Sequence, residues 1–184
     1  MDIGEVLKRL QIDNKDIVEN TYAICYDLVK QEEERRERLD TKTSNLIGIV
    51  GVFITLVFGF GGIILEKVRD QHWATILVGI FLGAIFCGAV SLWFALTAVK
   101  AKHNLNVIND EDIFNKEMLK GNIIDYKRYL IAHFWRIYRN NFKANEEKGK
   151  YLVRAFKWFS AAVIFLFVIV LSLSVYIISL KGGV

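Results

Sequence analysis

Three long uncharged runs constrain this chain more than any other feature. They cover residues 46–65, 74–99 and 158–180 of the 184-residue sequence, and none of them contains Asp, Glu, Lys or Arg. About 20 apolar residues suffice for a helix to cross the hydrocarbon core of a bilayer. None of the runs alternates apolar and polar residues as the strands of a membrane β-barrel do. The sequence therefore predicts an all-α integral membrane protein with three transmembrane helices.

The charged segments predict the domain organisation and the orientation. We expect residues 1–45 and 100–157 to form cytoplasmic helices, 46–99 a transmembrane hairpin, and 158–184 the third span with a short outer tail. Lys and Arg are frequent ahead of the first span and along the long loop, but scarce in the loop between the first two spans. The positive-inside rule therefore places the N-terminus in the cytoplasm and the C-terminus outside.

The cytoplasmic segments have the pattern of long stalk helices. Residues 15–46 contain no Gly or Pro, which predicts one helix from an Asn14 cap into the first span. Within it, Glu32 with Arg36 and Glu34 with Arg38 are spaced for i, i+4 ion pairs on a solvated face. An apolar stripe over residues 17–29 needs a partner, and the apolar side of a helix over 123–142 is the expected one. A short helix over 109–121 and continuation through Gly149 into the third span complete a small cytoplasmic bundle.

The formal net charge is +4, and most of the positive excess lies in the 100–157 segment. There, cations alternate with aromatic residues. Cations neutralise phosphates and aromatic rings stack on bases, which is how nucleotides and single-stranded oligonucleotides are often held. Positive-inside bias and interfacial aromatics produce the same composition, so lipid headgroups and packing are the alternative. The predicted ligand-binding residues are Lys127, Arg128, Trp135, Arg136, Arg139 and Lys143.

Small residues recur at every fourth position of the second span, where they form a ridge. Such ridges let helices approach closely in lipid, which favours a homo-oligomer, with a tetramer preferred; packing against the other spans of the same chain is the alternative. The members of this ridge are Gly79, Gly83, Cys87, Ser91 and Ala95.

Hydroxyl groups are sparse in the spans. Ser172, Tyr176 and Ser179 share one face of the third span, and Thr55 lies centrally in the first. We interpret these four residues as candidates to line a pore that stays closed by dewetting, although hydroxyls in helices also bond to their own backbone. No acid or base other than Tyr176 lies within the runs, which argues against a proton-coupled transporter.

The sequence shows no pattern expected of an enzyme. It has no Gly-rich loop followed by Lys, no nucleophile elbow and no metal motif, and none of its three histidines is paired at ligand spacing with a second His, Cys or carboxylate. We therefore expect no catalytic residue, no metal and no cofactor, and both cysteines to be reduced and structural.

Taken together, the strings RERLDTKTSNLIG and YRNNFKANEEKGKYL and the tight two-span hairpin resemble small bacterial membrane effectors of anti-phage systems. These include SLATT-type and Pycsar-type effectors and the membrane effector of the Hailong system. The resemblance implies an oligomeric channel in the bacterial inner membrane that depolarises the infected cell. It also implies a nucleotide signal, made by a partner enzyme, that is read on the cytoplasmic face. The alternative is a non-conducting membrane anchor that docks a soluble partner through residues 17–29 and 123–142.

Overall fold

The computed structural model is built from three long α-helices, and it describes Lys8 and residues 14–68, 70–100 and 122–181. Helix α1 covers Lys15–Lys67, α2 covers Gln71–Lys100 and α3 covers Ile123–Lys181. Each helix contains a segment long and apolar enough to cross a membrane, and the described residues include no strand. The all-helical class and the three potential spans predicted from the sequence are therefore confirmed.

Each helix begins at a polar capping residue. The side-chain oxygens of Asn14, Asp70 and Asn122 accept the backbone amides two residues further on, at 3.0, 2.8 and 3.2 Å. Such caps satisfy amides that the first helical turn leaves without an intrahelical acceptor. The Asn14 cap and the continuation of α3 past Gly149 agree with the sequence prediction. The helix predicted over residues 109–121 lies outside the described residues.

The chain forms two compact units. Unit 1 comprises Met1–Asp40 and Ala101–Lys148, and unit 2 comprises Thr41–Lys100 and Gly149–Val184. Helices α1 and α3 each contribute residues to both units, whereas α2 belongs to unit 2 alone.

In unit 1, an apolar core between α1 and α3 holds these two helices together. The rings of Tyr22 and Tyr26 lie 5.6 and 5.8 Å from the ring of Phe134. The apolar stripe of α1 therefore finds the partner expected from the sequence. The buried core residues are Val18, Cys25, Val29, Leu130, Ile131, Phe134 and Ile137.

Unit 2 buries apolar side chains from all three helices. The ring of Phe53 on α1 meets that of Phe159 on α3 at 5.7 Å, and the ring of Phe86 on α2 meets Trp158 at 6.3 Å. Many large apolar side chains of this unit remain exposed, among them Trp93 and Phe167. An apolar exterior of this kind suits a lipid environment better than water. The core comprises Phe53, Val57, Leu77, Phe81, Ala84, Cys87, Ala162 and Ile169.

Seven of the buried residues of α3 are spaced seven positions apart along the helix. A seven-residue repeat is the spacing of helices that wind around each other in a left-handed coiled coil. In unit 1 this series consists of one aromatic and two polar side chains, and in unit 2 it consists of small or apolar ones. The positions are Phe134, Asn141 and Lys148 in unit 1, and Ala155, Ala162, Ile169 and Tyr176 in unit 2.

Candidate functional site

The most unusual feature of unit 1 is a group of buried polar side chains between α1 and α3. We call it the polar cluster; it consists of Glu32, Asp40, Asn145 and Lys148. Three of these four are buried, and Asp40 is half-buried. A buried polar group costs free energy unless it is hydrogen-bonded, so each contact in this cluster matters for the packing of the two helices.

Asn145 and Glu32 form the inner part of the polar cluster. The Asn145 amide nitrogen donates to the Glu32 backbone carbonyl at 2.8 Å and to the Glu32 carboxylate at 2.9 Å. Arg35, one turn further along α1, also approaches the Glu32 carboxylate at 3.4 Å and lies over the ring of Phe142 at 5.5 Å. This group fixes the register of α1 against α3 in unit 1, because a shift of either helix would separate the donor from both acceptors.

Lys148 and Asp40 form the second contact of the polar cluster. The Lys148 ammonium donates to the Asp40 carboxylate, and only 3% of the Lys148 side chain is exposed, against 30% for Asp40. The guanidinium of Arg36 lies 3.8 Å from the second carboxylate oxygen. A buried cation therefore depends on one carboxylate that water can still reach.

These contacts correct the ion pairs predicted along α1. Glu32 pairs with Arg35 rather than Arg36, and Arg36 pairs with Asp40. Arg38 donates to the backbone carbonyl of Glu34, at 3.3 Å, rather than to its carboxylate. The face that carries Glu32 is not solvated as expected, because α3 covers it with Asn145.

Two of the five cations among the predicted ligand-binding residues already pair with acids of unit 1. Lys127 donates to Glu19 at 2.6 Å, and Arg128 to Asp125 at 2.9 Å. The Lys127 ammonium holds the pKa of Glu19 below its ordinary value, through the hydrogen bond first and the charge second. Both cations are therefore partly neutralised by neighbouring carboxylates.

The other four predicted ligand-binding residues follow in the next turns of α3. Arg136 and Lys143 are exposed and lie two turns apart on one side of the helix, and Arg139 is half-buried. Trp135 packs against Tyr138 at 5.5 Å between ring centroids, and Tyr138 packs against Phe142 at 6.0 Å. The predicted site is thus a short row of rings bordered by cations, and ligand binding there stays a prediction.

The ridge predicted for oligomer packing lies largely inside unit 2. Cys87, Ser91 and Ala95 are buried, and the Ser91 hydroxyl donates to the Ala155 backbone carbonyl of α3 at 2.8 Å. A methyl group at Gly83 would meet the ring of Phe165 at 3.0 Å, whereas one at Gly79 would meet nothing within 4 Å. Four of the five ridge residues therefore contact this chain's own helices, which is the alternative weighed from the sequence. Packing between subunits through this ridge stays a prediction.

A second small-residue surface lies on α1 and is open. We call it the bare face of α1. A methyl group built at any of its four glycines would meet nothing within 4 Å, and Thr55 is exposed. At about 100° per residue its members fall within an arc of roughly 80°, so they form one surface. They are Gly48, Gly51, Thr55, Gly59 and Gly62.

The residues predicted to line a pore are placed differently from one another. Tyr176 is buried in unit 2, with its ring 5.9 Å from that of Trp73, and Ser172 is half-buried. The Ser179 hydroxyl donates to the Tyr176 backbone carbonyl at 2.7 Å. The Thr55 hydroxyl donates to the Gly51 carbonyl at 3.0 Å, on the bare face. Of the four residues, only Thr55 and Ser179 are exposed. A pore-lining role for any of the four stays a prediction.

Among the described residues, no group of three or more His, Cys, Asp or Glu side chains is arranged to hold a metal ion. Burial raises the pKa of the Cys25 thiol, which lies in the core of unit 1.

Comparison of the chain with protein-family models, with curated proteins and with solved structures finds no match.

Proposed function

We propose that this chain is an oligomeric, signal-gated ion channel of the bacterial inner membrane, acting as an effector in anti-phage defence. The observation that carries the proposal is the bare face of α1, with Gly48, Gly51, Thr55, Gly59 and Gly62 open within a potential span. Large apolar side chains cover most of the remaining exterior of unit 2, and lipid can solvate them. A surface without side-chain bulk gains nothing from lipid, but it allows another helix to approach closely.

Small and hydroxyl-bearing residues on one face also suit the lining of a narrow passage. Where glycines replace bulky side chains, the backbone carbonyls of α1 become accessible, and the second lone pair of each can contact an ion or water. Thr55 adds a hydroxyl at the centre of this face. In the proposed homo-oligomer, a tetramer in the favoured form, the bare faces of several α1 helices line the axis or meet beside it.

For regulation we propose a nucleotide or oligonucleotide signal bound on α3 in unit 1. The exposed cations Arg136 and Lys143 and the row of rings from Trp135 to Phe142 supply the charge and the stacking surfaces that such a ligand needs. Lys127 and Arg128 are weaker contributors, because Glu19 and Asp125 already offset their charges. The signal acts on a stalk in which polar contacts adjoin the apolar core, and such contacts are easier to exchange than apolar packing.

A non-conducting anchor that docks a soluble partner is the competing function. Its predicted docking surfaces are residues 17–29 and 123–142, and in unit 1 these two segments pack largely against each other. Val18, Cys25 and Val29 are buried there, which leaves Ile17, Ile24 and Tyr26 as the large exposed apolar residues of the first segment. The channel is therefore the better-supported proposal.

Ion flux from liposomes that contain the purified chain tests the channel proposal. The variant Gly51→Leu/Gly59→Leu fills the bare face, and Val52→Leu enlarges an exposed neighbouring position on the same helix as a matched control. We expect flux in the wild type when nucleotide extracts from cells expressing the neighbouring gene are added. The double variant should lose both flux and the oligomer measured by cross-linking, and the control should keep both.

Flux that is unchanged in the double variant would contradict the role of the bare face. No flux from folded, oligomeric wild-type protein with or without extract would contradict the channel itself, and co-purification of a stoichiometric soluble protein would then favour the anchor. For the signal, Arg136→Gln/Lys143→Gln should weaken activation by the extract while leaving the oligomer intact. Equal activation in that variant would remove the proposed binding face.

A further inference from the structure

Unit 2 carries a cation that is held by aromatic rings instead of a carboxylate. The guanidinium carbon of Arg154 on α3 lies 6.0 Å from the centre of the Phe94 ring on α2 and 5.9 Å from that of Tyr151. No hydrogen bond or ion pair of the described residues involves Arg154. Arginine stacked on rings keeps its planar set of donors directed outward, and that set matches the oxygens of a phosphate.

The charges near Arg154 leave this end of unit 2 positive. Lys100 at the end of α2 and Lys157 on α3 are both exposed. The acids among the described residues of unit 2 are Glu66 and Asp70, and both lie beside the connection from α1 to α2. That connection is at the opposite end of the 30-residue α2 from Lys100. Within unit 2, no carboxylate is therefore available to neutralise these three cations.

The position of Arg154 along α3 matches the level of lipid phosphates. The uncharged run of α3 begins at Trp158, one turn after Arg154, which is a separation of roughly 6 Å along the helix axis. Trp158 is partly exposed and packs against Phe86, and amphipathic indole rings are typical of the membrane interface. If the run enters hydrocarbon at Trp158, Arg154 lies in the headgroup layer.

We propose that Arg154, supported by Lys157 and Lys100, binds the phosphodiester of an anionic phospholipid. Phe94 and Tyr151 hold the guanidinium in place, so that little side-chain freedom is lost when the phosphate binds. Two further cations and the lack of a nearby acid within unit 2 favour a lipid with net negative charge over a zwitterionic one. This inference rests on membrane residence but not on ion conduction, and it concerns residues outside the predicted nucleotide site.

Titration of the purified full-length chain in mild detergent with short-chain phosphatidylglycerol tests the proposal, with thermal unfolding as the readout of binding. Short-chain phosphatidylcholine and glycerol 1-phosphate serve as the zwitterionic lipid and the free headgroup. We expect stabilisation by phosphatidylglycerol only. Arg154→Gln should weaken its apparent affinity about five-fold, the effect of one cation near an anionic lipid surface.

Further variants separate a defined site from diffuse charge. Arg154→Lys keeps the charge but loses the planar donor set, so it should weaken binding by about two-fold. This variant replaces Arg154→Gln in the test if Arg154→Gln does not fold. Lys30→Gln, at an exposed position of unit 1, should leave the affinity unchanged. A loss in Lys157→Gln as large as that in Arg154→Gln would overturn the central role of Arg154. Equal binding of glycerol 1-phosphate, or of phosphatidylcholine, would overturn the assignment to an anionic lipid. None of these results depends on flux, so the channel can fail without affecting this inference.

Discussion

Replacing Asp40 with Asn should destabilise unit 1 far more than removing its partner, Lys148. Asp40→Asn leaves the Lys148 ammonium in a site where 3% of its side chain is exposed, with no carboxylate to offset the charge. Removing one partner of a buried ion pair costs about 3–5 kcal/mol. Because 30% of the Asp40 side chain is exposed and water can approach the vacated position, we expect about 2–3 kcal/mol here.

The reciprocal change should be mild. Lys148→Met keeps most of the length of the side chain and removes the buried charge, while Asp40 keeps the Arg36 guanidinium at 3.8 Å and its access to water. Replacing a buried ion with an apolar group is often neutral, so we expect a change within about 1 kcal/mol. The double variant Asp40→Asn/Lys148→Met should recover most of the stability lost in Asp40→Asn.

The assay is denaturant unfolding of the purified chain in mild detergent, followed by helical circular dichroism. Amide hydrogen exchange over residues 130–148 supplies a readout confined to unit 1. Local opening of this segment should become faster in Asp40→Asn and return towards the wild-type rate in the double variant. Equal destabilisation by the two single variants, or a double variant as unstable as Asp40→Asn, would refute the view that the cost arises from an uncompensated cation.

Two further predictions concern other contacts. A methyl group at Gly83 would meet the Phe165 ring at 3.0 Å, so Gly83→Ala should lower the free energy of unfolding by about 1–2 kcal/mol. Gly79→Ala, on the same helix but in open space, should be neutral or slightly stabilising; equal effects of the two in denaturant unfolding would show that the ring moves aside. The pKa of Glu19 is lowered in the folded state by its pairing with Lys127. This pairing should therefore stabilise unit 1 fully at pH values above 4.5, the ordinary pKa of the Glu19 carboxyl. The stabilisation should be lost as the pH falls through the lowered pKa of the folded state. Glu19→Gln should remove that part of the acid dependence of hydrogen exchange in unit 1, and an unchanged acid limb would contradict the assignment.

The sequence was most informative where composition and spacing determine the structure directly. Uncharged runs gave the three potential spans, and the lack of Gly and Pro over residues 15–46 gave an uninterrupted α1. The apolar stripe of residues 17–29 pointed to its partner, because a stripe exposed to water would be unfavourable. These are local properties, or properties that only a covering helix can satisfy.

The polar contacts were harder to predict because they depend on the pairing of α1 with α3. At i, i+4 spacing Glu32 could bond Arg36, but in the structure Asn145 and Arg35 surround its carboxylate. One sequence pattern could have predicted the buried polar residues. Phe134, Asn141 and Lys148 have the same seven-residue spacing as the buried apolar positions that follow on α3. That repeat marks Asn141 and Lys148 as interior residues despite their polarity.

The small-residue surfaces show the same limit. A ridge on α2 and glycines on α1 look equivalent in sequence, because both offer close approach. Only the packing of unit 2 distinguishes them: Phe165 and the Ala155 carbonyl cover the ridge at Gly83 and Ser91, whereas the glycines at positions such as Gly48 remain open. The choice of covering helix is a long-range property that the spacing of small residues does not encode.

The hydrogen bond from Ser91 to the Ala155 carbonyl responds to mutation differently from the contacts of the polar cluster. Its acceptor belongs to the backbone, which every residue at position 155 supplies, so only changes at position 91 can remove the donor. The Asp40–Lys148 contact is made by two side chains, and an altered residue at one position can be compensated at the other. Across divergent sequences that keep this architecture, positions 40 and 148 are therefore expected to change together. Position 91 should instead vary independently of position 155, as long as position 91 retains a hydroxyl and position 155 stays small.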